Sequence, residues 1–218
     1  MCFHASSFIL LAYQVNYYDE RDEEGLVHAI AVDDLNKRII VGFRGSVSKK
    51  DWQANFDAML CKKTNPLKGE TMKIGKREVK QPEKVLMHRG FRDYVFADYN
   101  ADEDADVTKD EREGDTGTRN FFDEILENAA TALENHPGYS LYTTGLSLGG
   151  ALTTVFALFA AASKDPRIPK PVTSVAFGSP KSGSLSFRKA FQSLEDSGNL
   201  RFVHVINEND IVKELPRK

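Results

Sequence analysis

The segment that most restricts how this chain can fold is the pentapeptide Gly-Leu-Ser-Leu-Gly at residues 145–149. The spacing Gly-x-Ser-x-Gly is typical of a sharp turn that exposes a serine between a strand and a helix. The residue types are common, so the flanks matter. Residues 139–144 are rich in β-forming side chains, and residues 150–162 are rich in Ala and Leu. Together they predict a strand, a tight turn at Ser147 and a helix.

The length of 218 residues suits a sizeable core, and we predict a single domain over residues 1–218. The formal net charge of -3 hides an uneven distribution. Residues 98–115 contain nine carboxylates and two cations, which predicts a solvated acidic insertion at about residues 98–117. Residues 62–80 are rich in lysine but have no interleaved aromatic side chains, so the sequence predicts no nucleic-acid partner.

The acidic stretch comes close to the ligand spacing of a calcium-binding EF-hand loop. Carboxylates occupy its ligand positions at Asp102, Asp104, Asp106, Asp110 and Glu113. Val107 stands where the sharp turn of such a loop needs glycine, and Lys109 adds a positive charge. We therefore interpret the stretch as a solvated acidic loop, and the sequence predicts neither a metal nor another cofactor.

Cysteine content and the first residues bear on the compartment. Cys2 and Cys61 allow at most one disulfide, which is typical of a reducing compartment. The N-terminal segment lacks the positively charged region and the long apolar run of a signal peptide. No apolar run reaches the length that spans a bilayer. These features predict a cytoplasmic protein without a transmembrane segment.

Hydrophobic periodicity divides the rest of the chain into alternating elements. Helices are predicted at residues 51–60, 92–100, 120–135, 150–162 and 187–195. Strands are predicted at residues 26–33, 38–43, 139–144, 172–177 and 201–206. The first two strands are predicted to form an antiparallel hairpin, and residues 61–84 an irregular basic segment. The later alternation of helices and strands predicts an α/β fold, a mostly parallel sheet with helices on both faces.

Five blocks of sequence resemble, in order and spacing, those of one known family. They are Phe43-Arg-Gly-Ser46 with Trp52, His88-Arg-Gly-Phe91, the pentapeptide, Phe177-Gly-Ser-Pro180 with Phe187, and residues 207–216. The family is that of the class 3, or fungal-type, lipases, which have the α/β-hydrolase fold. The resemblance covers roughly residues 5–216. It implies an α/β-hydrolase-like sheet.

The resemblance also implies roles for residues around the turn. A serine hydroxyl becomes a good nucleophile when a histidine accepts its proton and a carboxylate orients that histidine. Ser147 corresponds to the nucleophile, and Asp210 corresponds to the carboxylate. Ser46 and Leu148 correspond to the oxyanion hole, where backbone N–H groups stabilise the negative charge that develops on an ester oxygen.

The helix predicted at residues 51–60 corresponds to the lid of the family, which opens at a lipid surface. Its apolar stripe includes Trp52 and Phe56 at helical spacing. By itself, a stripe of this kind is more often found on a helix that packs into a core. Lys49 and Lys50 precede it and favour an anionic surface or a modest esterase.

Two positions differ from the family pattern. Leu146 stands where the family usually has histidine before the nucleophile. The family's catalytic histidine follows the aspartate, but every histidine of this sequence precedes Asp210: His4, His28, His88, His136 and His204. We interpret His88 as structural and His204 as a strand residue. The expectation is a fold that is incomplete on its C-terminal side, and the alternative is a family member without catalysis.

The predicted function is that of a serine carboxylester hydrolase, similar to triacylglycerol lipases, with an acyl-enzyme on Ser147. Two alternatives stay open: a phospholipase or short-chain esterase, and a lipid-binding or regulatory protein that has lost catalysis. The expected partner is a lipid ester at a membrane or lipid-droplet surface. The predicted location is accordingly cytoplasmic or peripheral to such a surface, and the oligomeric state is left open.

Overall fold

A computed structural model of the chain describes residues 14–18, 28–46, 59–74, 77–96 and 120–215. The predicted acidic insertion at about residues 98–117 lies outside these ranges. Trp52 and Phe56 of the predicted lid lie outside them as well.

A six-stranded sheet forms the centre of the described fold. In spatial order its strands are β1 (Gln14–Tyr18), β2 (His28–Asp33), β3 (Arg38–Phe43), β8 (Ser140–Leu146), β9 (Val172–Phe177) and β10 (Leu200–Val205). The β1–β2 and β2–β3 pairs are antiparallel, whereas β3, β8, β9 and β10 run parallel. Both the N-terminal antiparallel hairpin and the mostly parallel sheet are therefore confirmed.

Two small antiparallel pairs replace the irregular segment predicted at residues 61–84, so that prediction is wrong. The pairs are β4 (Leu60–Thr64) with β7 (Lys84–His88), and β5 (Thr71–Ile74) with β6 (Arg77–Lys80). Leu60 begins a strand, which also corrects the predicted C-terminal end of the lid helix.

The residue types of β4 explain why its sequence does not indicate a strand. Cys61 is buried, and its Sγ lies 3.4 Å from the carbonyl oxygen of Met87. Its neighbours Leu60 and Lys62 are exposed. Lys62 and Lys63 are consecutive in this strand, and lysine is depleted in strands. The period of two is therefore present, but the residue types conceal it.

Four helices are found in the described part of the chain: α1 (Arg89–Phe96), α2 (Phe121–Asn135), α3 (Leu148–Ala162) and α4 (Leu185–Asp196). The start of α2 agrees with prediction because the side chain of Asn120 accepts the N–H of Asp123 at 3.0 Å, which caps the helix. None of the described helices is long and apolar enough to cross a membrane.

The helices pack on the sheet face that carries Phe43 and Phe202. The ring of Phe156 in α3 lies 5.5 Å from that of Phe43, and the ring of Phe191 in α4 lies 5.0 Å from that of Phe202. α2 joins through Phe122, whose ring is 5.3 Å from Phe156. α3 is buried on almost every side, which explains its uniformly apolar sequence. On this face, the described part of the chain therefore has the helices that the sequence predicts.

One edge of the sheet gathers the ends of the parallel strands β3, β8, β9 and β10. The residues that follow these ends are 44–46, Ser147, 178–180 and 206–211. Because parallel strands share one direction, these four segments leave the sheet at the same edge. Ligands of open α/β sheets bind at this edge, so it is the place to look for a site.

Candidate active site

Ser147 occupies the sharp turn between β8 and α3. Its backbone has φ 54° and ψ -119°, a conformation that residues other than glycine rarely adopt. It precedes α3 at the capping position, yet its side chain makes no capping hydrogen bond. Strained backbone of this kind is concentrated at functional sites, where the surrounding structure holds it in place. The turn therefore presents Ser147 at the edge of the sheet, as the pentapeptide predicts.

Close backbone packing explains the glycines on either side of Ser147. A Cβ on Gly145 would overlap the backbone of Gly149, and a Cβ on Gly149 would overlap the carbonyl oxygen of Phe43. A Cβ on Gly45 would lie 2.8 Å from the carbonyl oxygen of Leu146. The turn and the loop after β3 are therefore packed backbone against backbone, with no room for a side chain.

The residues predicted for the oxyanion hole lie on both sides of this contact. Leu148 is the first residue of α3, where backbone N–H groups have no acceptor within the helix and carry partial positive charge. Ser46 follows Gly45, and a Cβ added to Gly45 would lie 3.9 Å from the Cβ of Ser147. The structure thus places the loop that carries Ser46 beside the turn that carries Ser147 and Leu148.

The loop after β9 connects Ser147 with Asp210. The carbonyl oxygen of Phe177 accepts the N–H of Ser147 at 2.9 Å, and the N–H of Gly178 donates to Val205 at 2.8 Å. Gly178 has φ 49°, and a Cβ there would lie 2.8 Å from Oδ2 of Asp210. The Asp210 carboxylate therefore packs against the residue that follows the hydrogen-bond acceptor of Ser147.

A turn after β10 holds Asp210. Its N–H donates to the carbonyl oxygen of Asn207 at 3.0 Å, and its Oδ1 accepts the N–H of Val212 at 2.9 Å. β8 and β10 flank β9, so their ends are roughly 9–10 Å apart at the usual spacing of neighbouring strands.

The described histidines lie elsewhere. His204 is in β10, and its Nε2 accepts the N–H of Ser179 at 3.1 Å. Partial burial lowers the pKa of His204, and the nearby Asp210 carboxylate opposes that shift. His136 lies beyond the opposite edge of the sheet, with its Nδ1 2.7 Å from the carbonyl oxygen of Ala132. His28 and His88 are buried.

The structure also identifies site residues to which the sequence analysis assigns no role. Gly178 and Ser179 lie in the Phe-Gly-Ser-Pro block, and they connect β9 to Asp210 and His204. A glycine directly after an apolar strand is the available sequence signal, because it permits the positive φ. In the described ranges, no group of three or more His, Cys, Asp or Glu side chains could hold a metal ion.

Comparison with known protein families and sequences gives a consistent result. The family described as Lipase (class 3) matches residues 40–218. The chain is 29% identical over 204 residues to phospholipase A1-II 7 of rice, covering 86% of this chain and 44% of that protein. It is 31% identical over 188 residues to phospholipase A1-IIgamma of Arabidopsis thaliana, covering 82% of this chain and 38% of the relative. The chain therefore spans less than half the length of these relatives.

Solved structures of fungal lipases have the same fold. The triacylglyceride lipase of Rhizomucor miehei superposes with a TM-score of 0.64 at 21% identity, over 94% of this chain and 61% of that one. The Lip2 lipase of Yarrowia lipolytica superposes with a TM-score of 0.62 at 18% identity, with the same two coverages. At these identities the likeness establishes an α/β-hydrolase fold of the fungal lipase type.

Proposed function

Because the chain belongs to the class 3 lipase family, we propose that it hydrolyses lipid esters through an acyl-enzyme on Ser147. The observation that carries the proposal is the backbone of Ser147, held at φ 54° between β8 and α3 with its hydroxyl free of any capping bond. Asp210 follows β10, which lies two strands from β8 and ends at the same edge of the sheet. This arrangement supports the assignment of Ser147 as the nucleophile and of Asp210 as the carboxylate that orients its base.

The proposed reaction has two halves. Ser147 Oγ attacks the ester carbonyl carbon while its proton passes to a histidine that Asp210 orients, and the carbonyl oxygen becomes an oxyanion. The backbone N–H groups of Leu148 and Ser46 stabilise that oxyanion. The alcohol then leaves with the histidine's proton. Water attacks the acyl-enzyme in the same way, releasing the fatty acid and restoring the Ser147 hydroxyl.

The assignment of a histidine as the proton acceptor rests on family membership alone. Among the described residues, His136 is remote and the Nε2 of His204 is engaged by Ser179. All five histidines of the sequence precede Asp210. If no histidine reaches Ser147, binding and the oxyanion hole retain only about 10³–10⁴-fold acceleration over the reaction in water. Lipid binding without catalysis is then the second candidate function.

For the substrate, we propose a phospholipid ester first and a triacylglycerol second. Phospholipase A1-IIgamma of Arabidopsis thaliana is 31% identical to this chain, whereas the triacylglyceride lipase structure is 21% identical. We also propose that residues 51–60, with Trp52 and Phe56, form a lid over the site. The protein would then work in the cytoplasm or peripherally at a lipid surface.

The test is labelling of the full-length protein with a fluorophosphonate, followed by peptide mapping and by assays of fatty acid release from phospholipid and triacylglycerol. We expect the label on Ser147, and we expect Ser147→Ala to lower hydrolysis about 10⁵–10⁶-fold. Ser140→Ala is the matched control, because Ser140 is exposed at the other end of β8. Labelling elsewhere, or hydrolysis that survives Ser147→Ala, would contradict the proposal.

A further inference from the structure

We infer that His204 is a positioning residue: in its neutral form it accepts the N–H of Ser179 and so holds the loop that connects Ser147 with Asp210. The inference rests on the proposed function for its effect on hydrolysis. It rests on the structure alone for its effect on the loop. His204 is not a catalytic residue in this account, because its Nε2 is occupied by Ser179.

Three consecutive residues of the loop are each fixed to a different part of the site. The Phe177 carbonyl accepts the Ser147 N–H at 2.9 Å, the Gly178 N–H donates to Val205 at 2.8 Å, and the Ser179 N–H donates to His204 at 3.1 Å. The last of these is the only one of the three that uses a side chain. It is therefore the bond that a substitution or a change of pH can remove.

Ser179 has little freedom to find another partner. It is 3% exposed, and a Cβ on Gly150 would lie 2.8 Å from its own Cβ, so it is pressed against the first turn of α3. A buried backbone N–H that loses its acceptor is unfavourable, and the chain relaxes by moving. Movement of Ser179 displaces Gly178, which is in contact with the Asp210 carboxylate.

The proton state of His204 decides whether the bond exists. Nε2 accepts an N–H only when it carries a lone pair, so the ring must be neutral with its proton on Nδ1. An imidazolium presents N–H against N–H and repels the loop. Asp210, on the turn after β10, is the nearest charged group. His204 also lines a cavity whose other charged residues are Lys181, Arg188, Glu195 and Asp196.

The direction of the pH effect follows from the pKa of His204, which lies below its ordinary value of 6.5. Desolvation of part of the ring is the largest cause, although the residue as a whole is exposed and the Asp210 carboxylate opposes the shift. The unfolded chain then binds the proton more readily than the folded one. The hydrogen bond from Ser179 to His204 is therefore fully formed when the pH is above the ordinary pKa of histidine. It is lost as the pH falls through the pKa that His204 has in the folded protein. We expect hydrolysis to decline over that same interval.

The test compares His204→Leu, which has no acceptor, with His204→Gln, whose side-chain oxygen can accept an N–H. Amide hydrogen exchange is measured over residues 177–179, and ¹⁵N shifts report the His204 tautomer in the unaltered protein. We expect the Leu variant to exchange about tenfold faster and the Gln variant to stay within about threefold. His136→Leu is the control, since His136 contacts a helix carbonyl beyond the far edge.

Kinetics supply a second readout. His204→Leu should lower kcat about tenfold with little change in KM. His204→Gln should keep kcat and remove only the part of the acidic decline that His204 causes, leaving the part that belongs to the catalytic histidine. Unchanged exchange in His204→Leu, or a proton on Nε2, overturns the inference. Because exchange and ¹⁵N shifts do not depend on hydrolysis, a protein that fails to cleave esters refutes the proposed function and leaves these two readouts decisive for His204.

Discussion

The two halves of the candidate site are held by different forces. On the Ser147 side, backbones touch at glycines, and Leu148, Gly149 and Gly150 are buried. On the Asp210 side, the chain is largely exposed: Val205 is 44% exposed and Ile211 is 65% exposed. Packing therefore fixes the nucleophile, whereas a few hydrogen bonds and one glycine contact fix the carboxylate. Substitutions of the packed glycines on the first side should affect folding, and those on the second side should affect catalysis.

The largest expected effect tests the Asp210 side. Asp210→Asn keeps the shape of the side chain and removes the charge that orients and stabilises a protonated histidine. We expect kcat to fall about 10⁴-fold, with a change in unfolding free energy below about 1 kcal/mol. Ester hydrolysis and urea denaturation of the same preparations measure the two quantities. A variant that loses several kcal/mol of unfolding free energy but keeps its kcat would contradict the comparison.

The next effect tests the Ser147 side. Gly149→Ala drives a Cβ into the carbonyl oxygen of Phe43, and backbone cannot move aside as a side chain can. We expect a loss of about 3–5 kcal/mol in unfolding free energy, measured by urea denaturation. The matched control is Gly42→Ala, one residue before Phe43, where a Cβ would lie 3.9 Å from the Ala29 carbonyl oxygen. Equal losses in both variants would show that close packing is not the cause.

The smallest effect lies at the junction of the two halves. Gly178→Ala places a methyl group 2.8 Å from Oδ2 of Asp210, and the carboxylate can rotate away at modest cost. We expect about 1–2 kcal/mol of destabilisation from the positive φ and a 10–100-fold lower kcat from the displaced carboxylate. Gly198→Ala is the matched control, because Gly198 also has a positive φ, 75°, but an added Cβ would have no neighbouring atom within 4 Å. It should therefore lose stability without losing kcat. Equal kcat in the two variants would contradict the role of the contact.

The same division decides what the sequence could predict. The turn at Ser147 is encoded locally: glycines at fixed spacing, a β-rich segment before and an Ala-rich helix after. Asp210 carries no such local signal, and only the family resemblance singled it out. The contacts of Gly178, Ser179 and His204 join residues far apart in the sequence, so no periodicity reveals them. The β4–β7 pair escaped prediction for a different reason, because β4 contains two consecutive lysines, a residue type that is depleted in strands.

The most direct test of the whole account is a crystal structure of the full-length protein with a phosphonate bound covalently to Ser147. We predict positive φ at Ser147, a phosphonyl oxygen about 2.7–3.1 Å from the backbone nitrogens of Leu148 and Ser46, and an imidazole between Ser147 and Asp210. A phosphonyl oxygen that points to solvent, with Asp210 turned away from the adduct, would contradict the account.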